Sequence, residues 1–131
     1  MATSVRPFLM FEGRANEAIA FYVGLIPNSD IVDVTRYGAG EPGPEGTVKF
    51  AVVRLAGQQV LFSDSFVSHG FTFTPSLSLF VDCESEADLE RIFTALSEGG
   101  GVLMPLSDYG FSRRFGWVND RFGVSWQLNL P

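Results

Sequence analysis

The chain has 131 residues, 46% of them hydrophobic and 18% charged, with a formal net charge of −6. That length and composition suit one compact domain burying about two thirds of its unfolded surface, and they exclude a disordered tail. Acidic balance without a long run of either sign gives nucleic acid or an anionic membrane nothing to hold, so neither is expected as a partner.

The segment from Met1 to Arg6 lacks the apolar core of a signal peptide, and no apolar run approaches the ~20 residues of a membrane span. Cys83 is the single cysteine and His69 the single histidine, which rules out an internal disulfide and a Cys/His zinc cluster. A cytoplasmic protein is expected.

Phe8 and Met10 alternate with Pro7, Leu9 and Phe11, predicting a short first strand buried on both faces. Ala15, Ala18, Ile19, Tyr22 and Leu25 fall at helical spacing, so a helix is predicted from about Arg14 to Leu25, stopped by Pro27. Ile31 to Tyr37 reads as a second strand, Gly38 to Gly46 as a loop, and Val48 to Leu55 with Gln59 to Ser63 as a hairpin about Ala56-Gly57.

The same order then recurs. Ser76-Leu77-Ser78-Leu79-Phe80 answers the first strand, Leu89-Glu90-Arg91-Ile92-Phe93 the helix, and Asp108-Tyr109-Gly110 answers Arg36-Tyr37-Gly38. Ser85 and Asp88 have capping-box spacing, opening a helix from about Glu86 to Glu98 that ends at three glycines. Val102 to Leu106, Arg113 to Val118 and Val124 to Leu130 complete the second meander. The chain is therefore one domain of two copies, module 1 over about 5–64 and module 2 over about 76–131, joined by a linker over about 65–75.

Strand parity assigns faces, because successive side chains point oppositely. In the last strand Val124, Trp126, Leu128 and Leu130 alternate with Ser125, Gln127 and Asn129; in the repeated first strand Ser76, Ser78 and Phe80 oppose the leucines and Val81. The polar face is either solvated or the lining of a cup.

The run Arg6-Pro7-Phe8-Leu9-Met10-Phe11-Glu12-Gly13-Arg14-Ala15-Asn16-Glu17-Ala18 with Phe21-Tyr22 resembles the opening of PhnB-like proteins. Trp117-Val118-Asn119-Asp120-Arg121-Phe122-Gly123-Val124-Ser125-Trp126-Gln127 is similar to their closing motif, so the resemblance covers nearly the whole chain. These proteins belong to the vicinal oxygen chelate superfamily, with glyoxalase I, bleomycin-resistance proteins and extradiol dioxygenases. The resemblance implies an α+β fold: two βαβββ modules with pseudo-twofold symmetry, cupped mixed sheets, helices on the outer face, and a homodimer.

In metal-dependent members of that superfamily, histidines and glutamates hold a divalent ion that polarises vicinal oxygens. The matching positions here are Pro7, Leu61, Ser76 and Gln127, of which none is a histidine, cysteine or carboxylate. No metal ligand is assigned and no cofactor is expected. No phosphate loop, nucleophile elbow or dinucleotide fingerprint is present either, so the methyltransferase label attached to this group draws no support from a nucleotide-type motif.

Three readings of function stay open, the third being a vestigial cup on a protein that serves only as an assembly module. In the first, Ser76, Ser78, Gln127 and Asn129, with Trp117 and one of Arg113 and Arg114, line a site for a small aromatic or amphipathic ligand. Parity turns the two arginines opposite ways, so one guanidinium can recognise an anion beside the aromatic rings while the other makes a surface salt bridge. In the second reading, His69 is the general base of a lyase, isomerase or thiol-conjugating enzyme, since histidine is the side-chain type whose unperturbed pKa lies near neutrality. A loop histidine is equally accounted for by exposure, and Asp64 by a turn.

Overall fold

The computed structural model describes residues 1–131. They form two units, Met1–His69 and Gly70–Pro131, each a four-stranded mixed sheet with one helix. The first contains β1 (Phe8–Phe11), α1 (Ala15–Leu25), β2 (Asp30–Arg36), β3 (Val48–Leu55) and β4 (Gln58–Asp64). The second contains β5 (Ser78–Asp82), α2 (Glu86–Ser97), β6 (Gly101–Ser107), β7 (Arg114–Asn119) and β8 (Ser125–Leu130).

Strand order is β1-β4-β3-β2 in one sheet and β5-β8-β7-β6 in the other. In each, the first strand lies parallel to the last and the meander runs antiparallel. A parallel pairing needs a crossover, and the helix supplies it. The duplicated pattern of the sequence is thus two copies of one βαβββ topology.

In the first unit, α1 buries Ala15, Ala18, Ile19, Tyr22 and Leu25, the five residues whose spacing predicts the helix. Phe62 is fully buried, with its ring centroid 5.8 Å from Phe11 and 6.1 Å from Tyr22. The first strand differs from expectation. Leu9 and Phe11 are buried but Phe8 is 50% exposed, so β1 is buried on one face only. It is an edge strand whose second face no helix covers. At the β3–β4 turn Ala56 and Gly57 take φ of 50° and 87°, the left-handed pair that matches the twist of a two-residue hairpin.

In the second unit, α2 buries Leu89, Ile92 and Leu96 behind a sheet that contributes Val118, Trp126, Leu128 and Leu130. A Cβ on Gly116 would stand 2.5 Å from the Phe93 ring, so glycine is what lets helix and β7 approach this closely. Ser85 caps α2, its Oγ accepting from Asp88 N at 3.1 Å. The predicted strand from Ser76 begins late, at Ser78. Thr74-Pro75-Ser76-Leu77 is a turn closed by Leu77 N on Thr74 O at 3.3 Å, with proline at the position that favours one.

Candidate functional site

Each module holds a buried carboxylate that gathers several donors. Asp64, 2% exposed, receives Gly13 N at 2.8 Å and Ala15 N at 3.0 Å on Oδ1, and Val48 N at 2.9 Å on Oδ2. It closes the amino terminus of α1, whose own N-cap, Arg14, gives no side-chain bond. Asp120, 3% exposed, receives Phe122 N at 2.8 Å, Val124 N at 3.0 Å and the Trp126 indole N–H at 2.9 Å. Asp64, the last residue of β4, is thus a structural anchor and not the turn residue expected.

Register places the candidate ligand residues of the second unit. Ser78 lies opposite Ser125, Phe80 opposite Gln127 and Asp82 opposite Asn129. Across the other edge of β8, Asn119, Trp117 and Phe115 face Ser125, Gln127 and Asn129 in turn. Directly opposed side chains share a face, and this face is turned away from α2, because the alternating positions Val118, Leu128 and Leu130 are buried in the helix-side core.

Four of its side chains are linked. Trp117 Nε1 donates to Ser125 Oγ at 2.8 Å, Ser125 Oγ and Ser78 Oγ are 2.7 Å apart, and Gln127 Nε2 donates to Ser78 Oγ at 3.3 Å. Asn129 donates through Nδ2 to Asp82 Oδ1 at 2.9 Å. The structure therefore brings together Ser78, Gln127, Trp117 and Asn129. Ser125, 1% exposed, is the hub, and it was absent from the expected lining although its parity with Gln127 signalled it.

The remaining candidates lie elsewhere. Ser76 sits in the turn before β5, where its Oγ is 3.1 Å from Thr74 Oγ1. Arg114 is on the helix side, bonded to Glu90 at 2.6 Å and 3.6 Å from Glu86; the Glu90 hydrogen bond raises its pKa further. Arg113 is turned to the chain's end, its Nε donating to Pro131 O at 2.7 Å. An aromatic group flanks the Asn129 row: Phe115 lies 5.0 Å from Phe111, 6.1 Å from Tyr109 and 6.3 Å from Phe80, centroid to centroid.

His69 closes the first unit. Its Nε2 is 3.0 Å from Ser65 Oγ and its backbone N–H donates to Glu12 Oε2 at 3.1 Å. Beside it is a cavity of about 230 Å³ whose walls include Glu12, Thr47, Asp64, Ser65 and Phe66.

The divalent metal that the resemblance implies finds no donor set at the four matching positions. Pro7 and Leu61 pair through backbone, Leu61 N to Pro7 O at 2.8 Å, and neither side chain has a ligand atom. Ser76 is held by Thr74, and Gln127 offers a neutral amide. No three His, Cys, Asp or Glu side chains converge. The residues present do not fit the ion. Cys83 is buried, and desolvation, followed by the charges of Asp88 and Asp82, pushes its thiol up to about 11, so it is a poor nucleophile.

A family model described as 3-demethylubiquinone-9 3-methyltransferase matches residues 3–129. The chain belongs to this PhnB-like family. A solved structure described as a putative 3-demethylubiquinone-9 3-methyltransferase, PhnB protein, from Bacillus cereus is 50% identical, with TM-score 0.95 over 98% of this chain and 100% of that one. Protein YjdN of Escherichia coli is 27% identical, over 95% of this chain and 92% of its own. A glyoxylase/bleomycin resistance protein/dioxygenase domain from Frankia shares the fold at 15% identity, with TM-score 0.66 over 99% of this chain and 92% of that one. No helix of this PhnB-like protein is long and apolar enough to cross a membrane.

Proposed function

We propose that this PhnB-like protein is a homodimer that binds a small aromatic or amphipathic molecule without a metal ion, on the face of its second sheet turned away from α2. The observation that carries this reading is the linked row Trp117–Ser125–Ser78–Gln127. Four polar side chains in neighbouring strands hold one another in fixed rotamers, next to exposed aromatic rings. A few placed polar groups among apolar walls are what a small-molecule site requires. Sequestration of a toxic compound is one use of such a face.

A thermal-shift screen of metal-stripped protein against divalent ions, phosphonates, quinones, aromatic acids and amines tests it. A compound that binds only the folded state adds about 2.7 kcal/mol at one hundred times its dissociation constant, which raises the midpoint of a domain this size by several degrees. Gln127→Leu is expected to abolish the shift while leaving the unliganded midpoint nearly in place. Unchanged affinity in that variant rejects the site. Dimerisation draws on the family and on exposed rings such as Phe71, 66% exposed, and Phe111, 63% exposed. A solution mass of only 14.4 kDa rejects it.

A second reading has its own observation, the Ser65–His69 contact beside the first unit's cavity. There His69 acts as base in lyase, isomerase or thiol-conjugating chemistry. Turnover of an electrophile with a thiol, lost in His69→Ala, would favour it; turnover unchanged in that variant would exclude His69.

A further inference from the structure

The face proposed for ligand binding carries acceptors and aromatic rings, and none of its directly opposed strand residues is a cation. Asn129 uses its Nδ2 on Asp82 Oδ1, which fixes the orientation of the amide, since only its nitrogen can donate to a carboxylate. Its Oδ1 is then left buried without a donor, and so is Asn119 Oδ1 on the same face. A buried acceptor without a partner is rare in a folded chain and calls for an explanation. Asp82 itself is exposed and its carboxylate makes no ion pair.

The two arginines expected to supply a cation here are committed elsewhere, Arg114 to Glu90 and Glu86 on the helix side and Arg113 to the Pro131 carbonyl. Beside Asp82 and Asn129 lie Phe115, directly opposite Asn129, and Phe80, which is 55% exposed. Ring faces attract cations, and a carboxylate next to them adds to that attraction. The anion recognition expected from an arginine among aromatic rings has no basis on this face.

We propose that the ligand carries a cationic or N–H-donating head, received by the exposed Asp82 carboxylate, and an aromatic body laid against Phe80 and Phe111. Aromatic amines are selected and the corresponding carboxylates and phosphonates rejected. This rests on the binding face proposed above.

The experiment is calorimetric titration with three probes that share one ring: tyramine, neutral tyrosol and 4-hydroxyphenylacetate. Tyramine is expected to bind at least about tenfold more tightly than 4-hydroxyphenylacetate, with tyrosol between them, and Asp82→Asn to remove most of that difference. Phe80→Ala, at an exposed position, is expected to weaken all three alike while leaving the fold intact. If 4-hydroxyphenylacetate binds as tightly as tyramine and Gln127→Leu weakens it, the binding face stands and the selection for donors is overturned. No heat from any probe up to about 10 mM also overturns the selection. The binding face is then judged separately by the thermal-shift screen.

Discussion

The two modules share one topology and differ in what their open faces display. On the first sheet the positions alternating with the helix-side core include Phe8 and Leu61, which are paired, and Val52 opposite Leu61. Counting from Gly57 and Gly123, the matching ladder of the second sheet is Phe80, Gln127 and Trp117, of which Gln127 and Trp117 belong to the hydrogen-bonded row. One backbone pattern thus presents an apolar strip in one copy and a hydrogen-bonded polar row in the other. Period-two alternation lets a sheet keep its core while the opposite face changes character. That freedom is why the fold shows the family and leaves the chemistry to a few positions.

The helix ends differ in a similar way. In module 2 the cap is local, Ser85 on Asp88 N; in module 1 it comes from Asp64, on a strand far along the chain. The comparison can be broken by mutation. Asp64→Ala leaves three backbone N–H groups without their acceptor, and at 1–3 kcal/mol for an unmet buried group, moderated by entering water, it is expected to cost about 3 kcal/mol in urea unfolding. Asp120→Ala, which releases two backbone donors and the Trp126 indole, is expected to cost about as much. A loss below about 1 kcal/mol in either would mean that water replaces the carboxylate at little expense.

Ser85→Ala removes a single local cap and should cost about 1 kcal/mol. Arg14→Ala, at the N-cap of α1, should change stability by less than about 0.5 kcal/mol, because that residue caps nothing with its side chain. Equal losses at Ser85 and Arg14 would contradict the division between local and remote capping.

The smallest expected effect concerns Cys83. Its pKa is raised from the ordinary 9.0 to about 11 in the folded chain, so the unfolded state gives up its proton first as pH rises. The contribution to stability is present below about pH 9 and declines from there towards pH 11. Alkylation of native protein at pH 8 should accordingly be slow and should accelerate on addition of urea; rapid labelling without denaturant would show the site to be open.

Much of this fold was legible in the chain. Helical spacing marked the five buried residues of α1, Pro27 marked its end, and Ala56-Gly57 marked a hairpin, because each depends on residues close in sequence. Parity likewise put Gln127 and Asn129 on one face and separated Arg113 from Arg114. The late start of β5 was missed: Ser76 continues the alternation of Ser78 and Phe80, and only the turn about Pro75 removes it.

The sequence by itself determined the duplicated βαβββ order, the core faces and the lack of histidine, cysteine or carboxylate at Pro7, Leu61, Ser76 and Gln127, the positions that the resemblance matches to metal ligands. Tertiary structure decided where each polar group spends its hydrogen bonds. Asp64 became an anchor for α1, Ser125 the hub of a polar row, Arg114 a partner of Glu90, and Asn129 an amide with one half engaged. These outcomes turn on which strands lie side by side and in what register, and a one-residue change of register would have turned every one of those side chains to the other face.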